Sequence, residues 1–212
     1  MTKRSASYLR RVLSVLVTPM VIVGLSASSG SAATAATPTF FGAELTSQSQ
    51  PSNAQNGQSC DENAGIRHGS TCTWVAISAF ENGSHFRAPK TGTVKHVKLV
   101  SCTAGKFRLQ LAKASPSAGK ARIVANGPEI TYRGQSPCGG TNGDHYIVQS
   151  FRVNMHVAKG DYIAIKARST GTLSCSGGDG FLLYAPPLPV GGSLKKSHSG
   201  ASCDLLVQLS YK

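Results

Sequence analysis

The side chains best suited to ligand chemistry flank one polar segment that is rich in Gly. Tyr132 and Arg133 lie at one end of it, and Asp144, His145 and Tyr146 lie at the other. An aromatic face beside charged and hydrogen-bonding groups suits a sugar, because the ring covers the apolar surface while the polar groups fix the orientation. These five side chains converge if the segment closes a hairpin. We therefore predict a ligand-binding site formed by these five residues.

Two further aromatic residues, Trp74 and Tyr184, are candidates for the same role. The alternative is that Trp74 and Tyr146 are core or rim residues, because large aromatic side chains dominate protein interiors.

Catalytic motifs are absent from the sequence. The Gly-x-Ser-x-Gly signature of the nucleophile elbow does not occur. A glycosidase needs two carboxylates in one cleft, and several of the nine acidic residues fall in expected turns. Asp144 and His145 with a distant Ser stay open as a triad, because triads assemble in space. We predict no catalytic residue and a protein that is not an enzyme.

Metal and cofactor sites are not expected either. The spacing of Cys60, His68 and Cys72 matches no standard zinc pattern. The loops at Asp144 and Asp179 each offer one acidic residue, whereas calcium sites often use more than one. No phosphate-binding Gly-x-x-x-x-Gly-Lys motif occurs, so the sequence predicts no cofactor.

The six cysteines are interpreted as structural, because an exported chain meets an oxidising compartment. Six cysteines allow fifteen pairings. Sequence proximity and loop placement favour three bridges: Cys60–Cys72, Cys102–Cys138 and Cys175–Cys203.

The first residues have the organisation of an export signal. A basic start is followed by an apolar run and then by small residues. We predict a signal peptide over residues 1–36, a flexible linker over 37–59 and one domain over 60–212, and hence secretion. A retained membrane anchor is the alternative, but the apolar run is short for a span and contains Pro19.

Residues 146–166 indicate the fold. Apolar and polar residues alternate up to a Lys-Gly-Asp turn, and a second alternation follows it. This pattern predicts two antiparallel strands joined by a tight loop. The sequence as a whole predicts roughly eight to ten short strands, with turns at intervals of about 8–12 residues. We predict an all-β protein: a single jelly-roll-like antiparallel β-sandwich with three disulfides.

One outward-facing row of this pattern carries polar groups. It could form a ligand face with polar residues of an earlier strand, and a solvated strand face is the alternative. The residues of the proposed face are Arg152, Asn154, His156, Arg108 and Gln110.

The segment 151–165, with its alternation, Lys159-Gly160-Asp161 turn and renewed alternation, resembles hairpins of secreted actinobacterial jelly-roll modules, both carbohydrate-binding and C1q-like. The resemblance implies the fold and no functional residue.

The net positive charge of the chain favours an anionic partner. Four of the 22 basic residues lie in the predicted leader, which leaves 18 against nine acidic residues, a net charge of +9. This excess predicts attraction to a glycan or anionic cell-wall polymer. No nucleic acid and no stable membrane insertion after signal cleavage are expected, and the oligomeric state stays open.

We therefore predict a secreted, non-catalytic binding module for an extracellular or cell-envelope glycan or another anionic polymer. A secreted hydrolase with an unrecognised site and a structural protein without a small ligand are the alternatives.

Overall fold

The computed structural model describes residues 39–45, 58–62, 66–67, 69–79, 85–135, 147–174 and 180–211. All of them belong to one compact unit, Ala36–Lys212. The predicted signal peptide lies outside the described residues. Two short strands lie within the predicted linker, at Phe40–Gly42 and Gln58–Ser59.

The described residues form antiparallel strands and two single-turn 3-10 helices, Cys60–Glu62 and Pro116–Ala118, with no α-helix among them. None of the helical segments in this part of the chain has the length and apolar character needed to cross a bilayer. The strands are β1 (Phe40–Gly42), β2 (Gln58–Ser59), β3 (Cys72–Ala76), β4 (Gly92–Leu99), β5 (Gly105–Ser115), β6 (Lys120–Tyr132), β7 (Gln149–Val157), β8 (Tyr162–Ala167), β9 (Ser169–Thr170), β10 (Leu173–Ser174), β11 (Phe181–Tyr184), β12 (Lys195–Lys196), β13 (Ser199–Ala201), β14 (Asp204–Leu205) and β15 (Val207–Tyr211).

Two large sheets contain most of these strands. The larger sheet has the order β12-β6-β5-β8-β3-β11-β13, and the smaller has the order β1-β15-β4-β7. Two further pairs, β10-β14 and β2-β9, complete the described ladders, and every strand pair is antiparallel. The prediction of an all-β antiparallel protein is confirmed.

One hydrophobic core draws on both large sheets. Trp74, Phe107 and Ile165 enter it from the larger sheet, and Val97 and Leu209 from the smaller. This shared core removes apolar surface of both sheets from water, at about 25 cal/mol per Å². The opposite face of the larger sheet carries a second buried cluster, which includes Val75, Ile123 and Leu188.

The prediction that β7 and β8 pair as a hairpin is wrong. β7 pairs with β4 in the smaller sheet, whereas β8 lies between β5 and β3 in the larger one. The turn between them carries the chain from one sheet to the other. Gly160 adopts φ +82° there, and the Asp161 carboxylate accepts a 2.7 Å hydrogen bond from the Ala158 N–H.

The Asn-Gly-Pro sequence at residues 126–128 has the composition of a hairpin turn but does not form one. It lies inside the continuous strand β6, where the register to β5 shifts between Arg108 and Gln110. The shift is a β-bulge, which tolerates Gly and Pro because the additional residue stands outside the ladder.

One disulfide, Cys60–Cys72, joins the start of the described 3-10 helix to β3, as predicted. Cys102 and Cys203 are not free thiols. Their predicted partners, Cys138 and Cys175, lie outside the described residues, so both pairings stay predictions.

Candidate functional site

The predicted ligand site is only partly described. Tyr132 is 3% exposed, and its ring packs on Phe107 with ring centroids 5.6 Å apart, so it offers no exposed face for stacking. Arg133 is exposed, and its backbone N–H and C=O both bond the side chain of Gln149, at 2.9 and 2.7 Å. Asp144, His145 and Tyr146 lie outside the described residues. The convergence of the five side chains therefore stays a prediction.

Aromatic stacking surfaces are scarce elsewhere as well. In the described part of the chain, every Trp and Tyr ring is buried, namely Trp74, Tyr132, Tyr162, Tyr184 and Tyr211. The described surface thus offers no exposed Trp or Tyr ring to a ligand.

The outward polar row of β7 is exposed, as its alternation predicts: Arg152, Asn154 and His156 all face solvent. The proposed ligand face that joins this row to Arg108 and Gln110 is wrong, because β5 lies in the other large sheet. Gln110 is also only 1% exposed.

The neighbour of this row in the smaller sheet is β4, whose alternation is broken. Its apolar residues occur on both parities, a pattern that suggests two covered faces. Val94 and Val97, three positions apart, both enter the common core. The register to β15 shifts between Ser210 and Tyr211, where Lys95 is the additional residue on β4. The bulge leaves Lys95 and His96 together on the solvent side, because it changes the parity of the strand.

The exposed side of β4 and β7 is a cationic surface. We define the basic face as Lys90, Lys95, His96, Lys98, Arg152 and His156. The four strands of the smaller sheet contain no Asp or Glu. The first acidic residue after β1 in the sequence is Glu44. Strand β1 lies at the edge of the smaller sheet, and β15 separates it from β4. Positive charge on this surface is therefore not balanced within its own sheet.

Two shallow depressions run along the basic face and share Lys95. One, of about 370 Å³, is lined by His96 and Arg152 as well as Lys95. The other, of about 300 Å³, is lined by Lys90 and Tyr211 as well as Lys95. The Lys95 ammonium also donates a 2.6 Å hydrogen bond to Asn154 Oδ1, which holds it between the two strands.

Tyr211 contacts Lys90 in the second depression of the basic face. Its Nζ lies 5.1 Å from the centroid of the Tyr211 ring, a cation–π contact, and the Tyr211 hydroxyl donates a 2.8 Å hydrogen bond to the Lys90 carbonyl. Burial raises the pKa of Tyr211, the hydrogen bond to Lys90 lowers it, and the charge of Asp161 raises it. With a raised pKa, the phenol is neutral at physiological pH and adds no negative charge beside Lys90.

This arrangement can attract and hold anions along an extended, open surface. The described residues contain no group of three or more His, Cys, Asp or Glu side chains placed to hold a metal ion. No family model, curated protein or solved structure matches the chain.

Proposed function

We propose that this protein is a secreted, non-catalytic module that binds an anionic polymer, such as an acidic extracellular or cell-envelope glycan, through the basic face. The observation that carries the proposal is the charge of the smaller sheet: Lys95, Lys98 and Arg152 project from strands that contain no carboxylate.

An extended polyanion suits this surface better than a compact ligand. The two depressions are shallow and meet at Lys95, which lines both, so together they can accommodate a chain that crosses the sheet. Exposed ion pairs contribute little individually, about 0.2–1 kcal/mol each. A polymer that engages several cations at once accumulates these contributions, and the binding weakens as salt screens the charges.

We further infer a jelly-roll topology for the domain. The smaller sheet has the order β1-β15-β4-β7, and the middle of the larger sheet has the order β6-β5-β8-β3. The chain crosses repeatedly between the sheets, and the first and last strands are neighbours, an arrangement that supports a rolled-up antiparallel sandwich.

Secretion is part of the same proposal. The apolar leader and the Cys60–Cys72 disulfide both support it, because disulfides persist in oxidising compartments.

The proposal is tested with protein recovered from a culture medium and three immobilised polymers: polygalacturonate, poly(glycerol phosphate) and neutral dextran. We expect retention on the two polyanions, no retention on dextran, and elution by salt. The variant Lys95→Gln/Lys98→Gln/Arg152→Gln is expected to lose about tenfold in affinity, the sum of three exposed contacts.

A matched control removes three exposed cations from the larger sheet: Lys120→Gln/Lys195→Gln/Lys196→Gln. This variant has the same net charge as the first and is expected to keep its affinity within about twofold. Equal losses in both variants would show attraction by net charge alone and would overturn the proposal. Shortening of either polymer during incubation would show an enzyme instead.

A further inference from the structure

A second cationic cluster lies on the outer side of the larger sheet, away from the basic face. Lys106, Arg108, Lys166 and Arg168 line an open cleft of about 470 Å³. The first two belong to β5, Lys166 belongs to β8, and Arg168 follows β8 directly. The four side chains therefore project from two neighbouring strands.

The cations at the centre of the cleft are only partly balanced across the strands. Arg108 stands directly opposite Lys166 in the ladder between β5 and β8, and opposite Glu129 in the ladder between β5 and β6. Like charges in directly opposed positions destabilise a sheet, whereas opposite charges there stabilise it. Lys166 stands opposite Thr73 on its other side, so its charge has no carboxylate in a directly opposed position.

Two carboxylates partly balance the cluster. Glu129 lies 3.7 Å from Lys106, and Asp61 lies 3.7 Å from Arg168. In the described part of the chain, neither Arg108 nor Lys166 has a carboxylate within 4.0 Å. Four cations and two carboxylates leave a local charge of +2, centred on the opposed pair.

A buried hydrogen-bond network lies beside the cleft. Gln110 is buried, donates a 2.8 Å hydrogen bond to Asn126 Oδ1, and accepts one of 3.3 Å from the Thr73 hydroxyl. The Thr73 hydroxyl in turn accepts a 3.1 Å hydrogen bond from the backbone of Leu188, a residue packed on the outer side of the sheet. The cations lie beside this covered region, in the cleft that Ser169 also lines.

We propose that this cleft binds a phosphomonoester group, as free phosphate or on a small sugar. A phosphomonoester carries about −1.5 to −2 charges near neutral pH, which complements the local charge of +2 better than a single carboxylate does. The Arg108 guanidinium donates one hydrogen bond of 3.3 Å to the Gly127 carbonyl and has further N–H groups for phosphate oxygens, and Lys166 supplies a point charge. The volume suits a monosaccharide-sized ligand, because small-molecule sites measure about 300–1,000 Å³. The hydroxyls of Thr71 and Ser169, which line the cleft, can bond the sugar.

The probes are inorganic phosphate and glucose 6-phosphate, titrated into the disulfide-intact protein by calorimetry at constant ionic strength, with glucose and chloride as controls. We expect saturable binding of both phosphates and none of the controls. Tighter binding of glucose 6-phosphate would assign the sugar phosphate as the ligand, whereas equal binding would assign the phosphate group alone.

Three variants test the site. Arg108→Gln/Lys166→Gln is expected to weaken phosphate binding at least tenfold, whereas Glu129→Gln is expected to strengthen it, because one competing carboxylate is removed. Lys95→Gln/Lys98→Gln on the basic face is the matched control and should leave phosphate binding unchanged. The melting temperature of Arg108→Gln/Lys166→Gln should stay close to that of the parent, since removal of the like-charge pair offsets the loss of the cross-strand pairing of Arg108 with Glu129 and of its hydrogen bond to Gly127. Absence of saturable phosphate binding, or binding that survives Arg108→Gln/Lys166→Gln, would overturn the proposal without touching the polymer-binding function.

Discussion

The ammonium of Lys113 lies 2.7 Å from Oδ1 of Asp161, whose side chain is only 3% exposed, at the turn that carries the chain between the two sheets. The same carboxylate accepts the hydrogen bond from the Ala158 N–H. One buried anion therefore fixes both the turn after β7 and its attachment to β5.

Removal of this carboxylate is expected to destabilise the protein. Asp161→Ala should lower the free energy of unfolding by about 2–4 kcal/mol, because it leaves a backbone donor without its acceptor and a cation without its partner. Lys113→Ala should cost less, about 1 kcal/mol, since Lys113 is 38% exposed and screened by solvent. Urea unfolding of both variants measures the difference. A larger effect at Lys113 than at Asp161 would contradict this account.

The Cys60–Cys72 bridge is expected to stabilise mainly by restricting the unfolded chain. It closes a loop with a sequence separation of 12 residues, which corresponds to about 2–3 kcal/mol in the chain-entropy model. The paired variant Cys60→Ser/Cys72→Ser should lose that amount in denaturant unfolding. The pair is replaced together so that no lone thiol remains, and unchanged stability would show that the bridge does not support the fold.

Gly180 is expected to resist substitution more strongly than Gly160. Both adopt positive φ, +86° and +82°, so alanine strains the backbone at either position by about 1–2 kcal/mol. At Gly180 a methyl group would also overlap the carbonyl oxygen of Ala201, whereas the space around Gly160 is open. Gly180→Ala should therefore reduce the yield of folded protein or its melting temperature far more than Gly160→Ala. Equal losses would show that backbone strain alone decides.

Tyr184 is expected to make stability fall at high pH. Burial raises the pKa of Tyr184 to about 12, above its ordinary value of 10.0. Between these values the phenol is ionised in the unfolded chain and neutral in the folded protein, so the unfolded state is favoured as pH rises. The stabilising contribution of the neutral Tyr184 phenol to the free energy of unfolding is complete below about pH 10 and is lost as pH approaches about 12. Tyr184→Phe should flatten this part of the curve, as measured by urea unfolding at a series of pH values. An unchanged slope would contradict the assignment.

Alternation predicted individual strands well, and it failed where a residue was added or a partner was distant. β7 shows strict alternation of buried and exposed residues, so its outward row was predictable. Strand β4 does not alternate in this way, because the bulge at Lys95 changes which side of the sheet the following residues face. The basic face was missed in the sequence for that reason. Two apolar residues three positions apart, Val94 and Val97, are the signal that could have revealed the bulge.

Pairing partners were not predictable from local sequence. The Lys-Gly-Asp turn of residues 159–161 has the composition of a hairpin, but β7 and β8 find their partners in different sheets, and those contacts depend on residues distant in sequence. Gln110 illustrates the same limit of local patterns. It is polar yet buried, because Thr73 and Asn126 from neighbouring strands satisfy its amide.

The pairing of β1 with β15 has a mechanical consequence. Phe40 stands opposite Ser210, so the chain enters and leaves the domain at the same end of one antiparallel ladder. Tension applied through the two termini would load these hydrogen bonds in succession, as in a zipper, instead of all together. Such a domain should open at its terminal strand under small forces while the larger sheet remains intact.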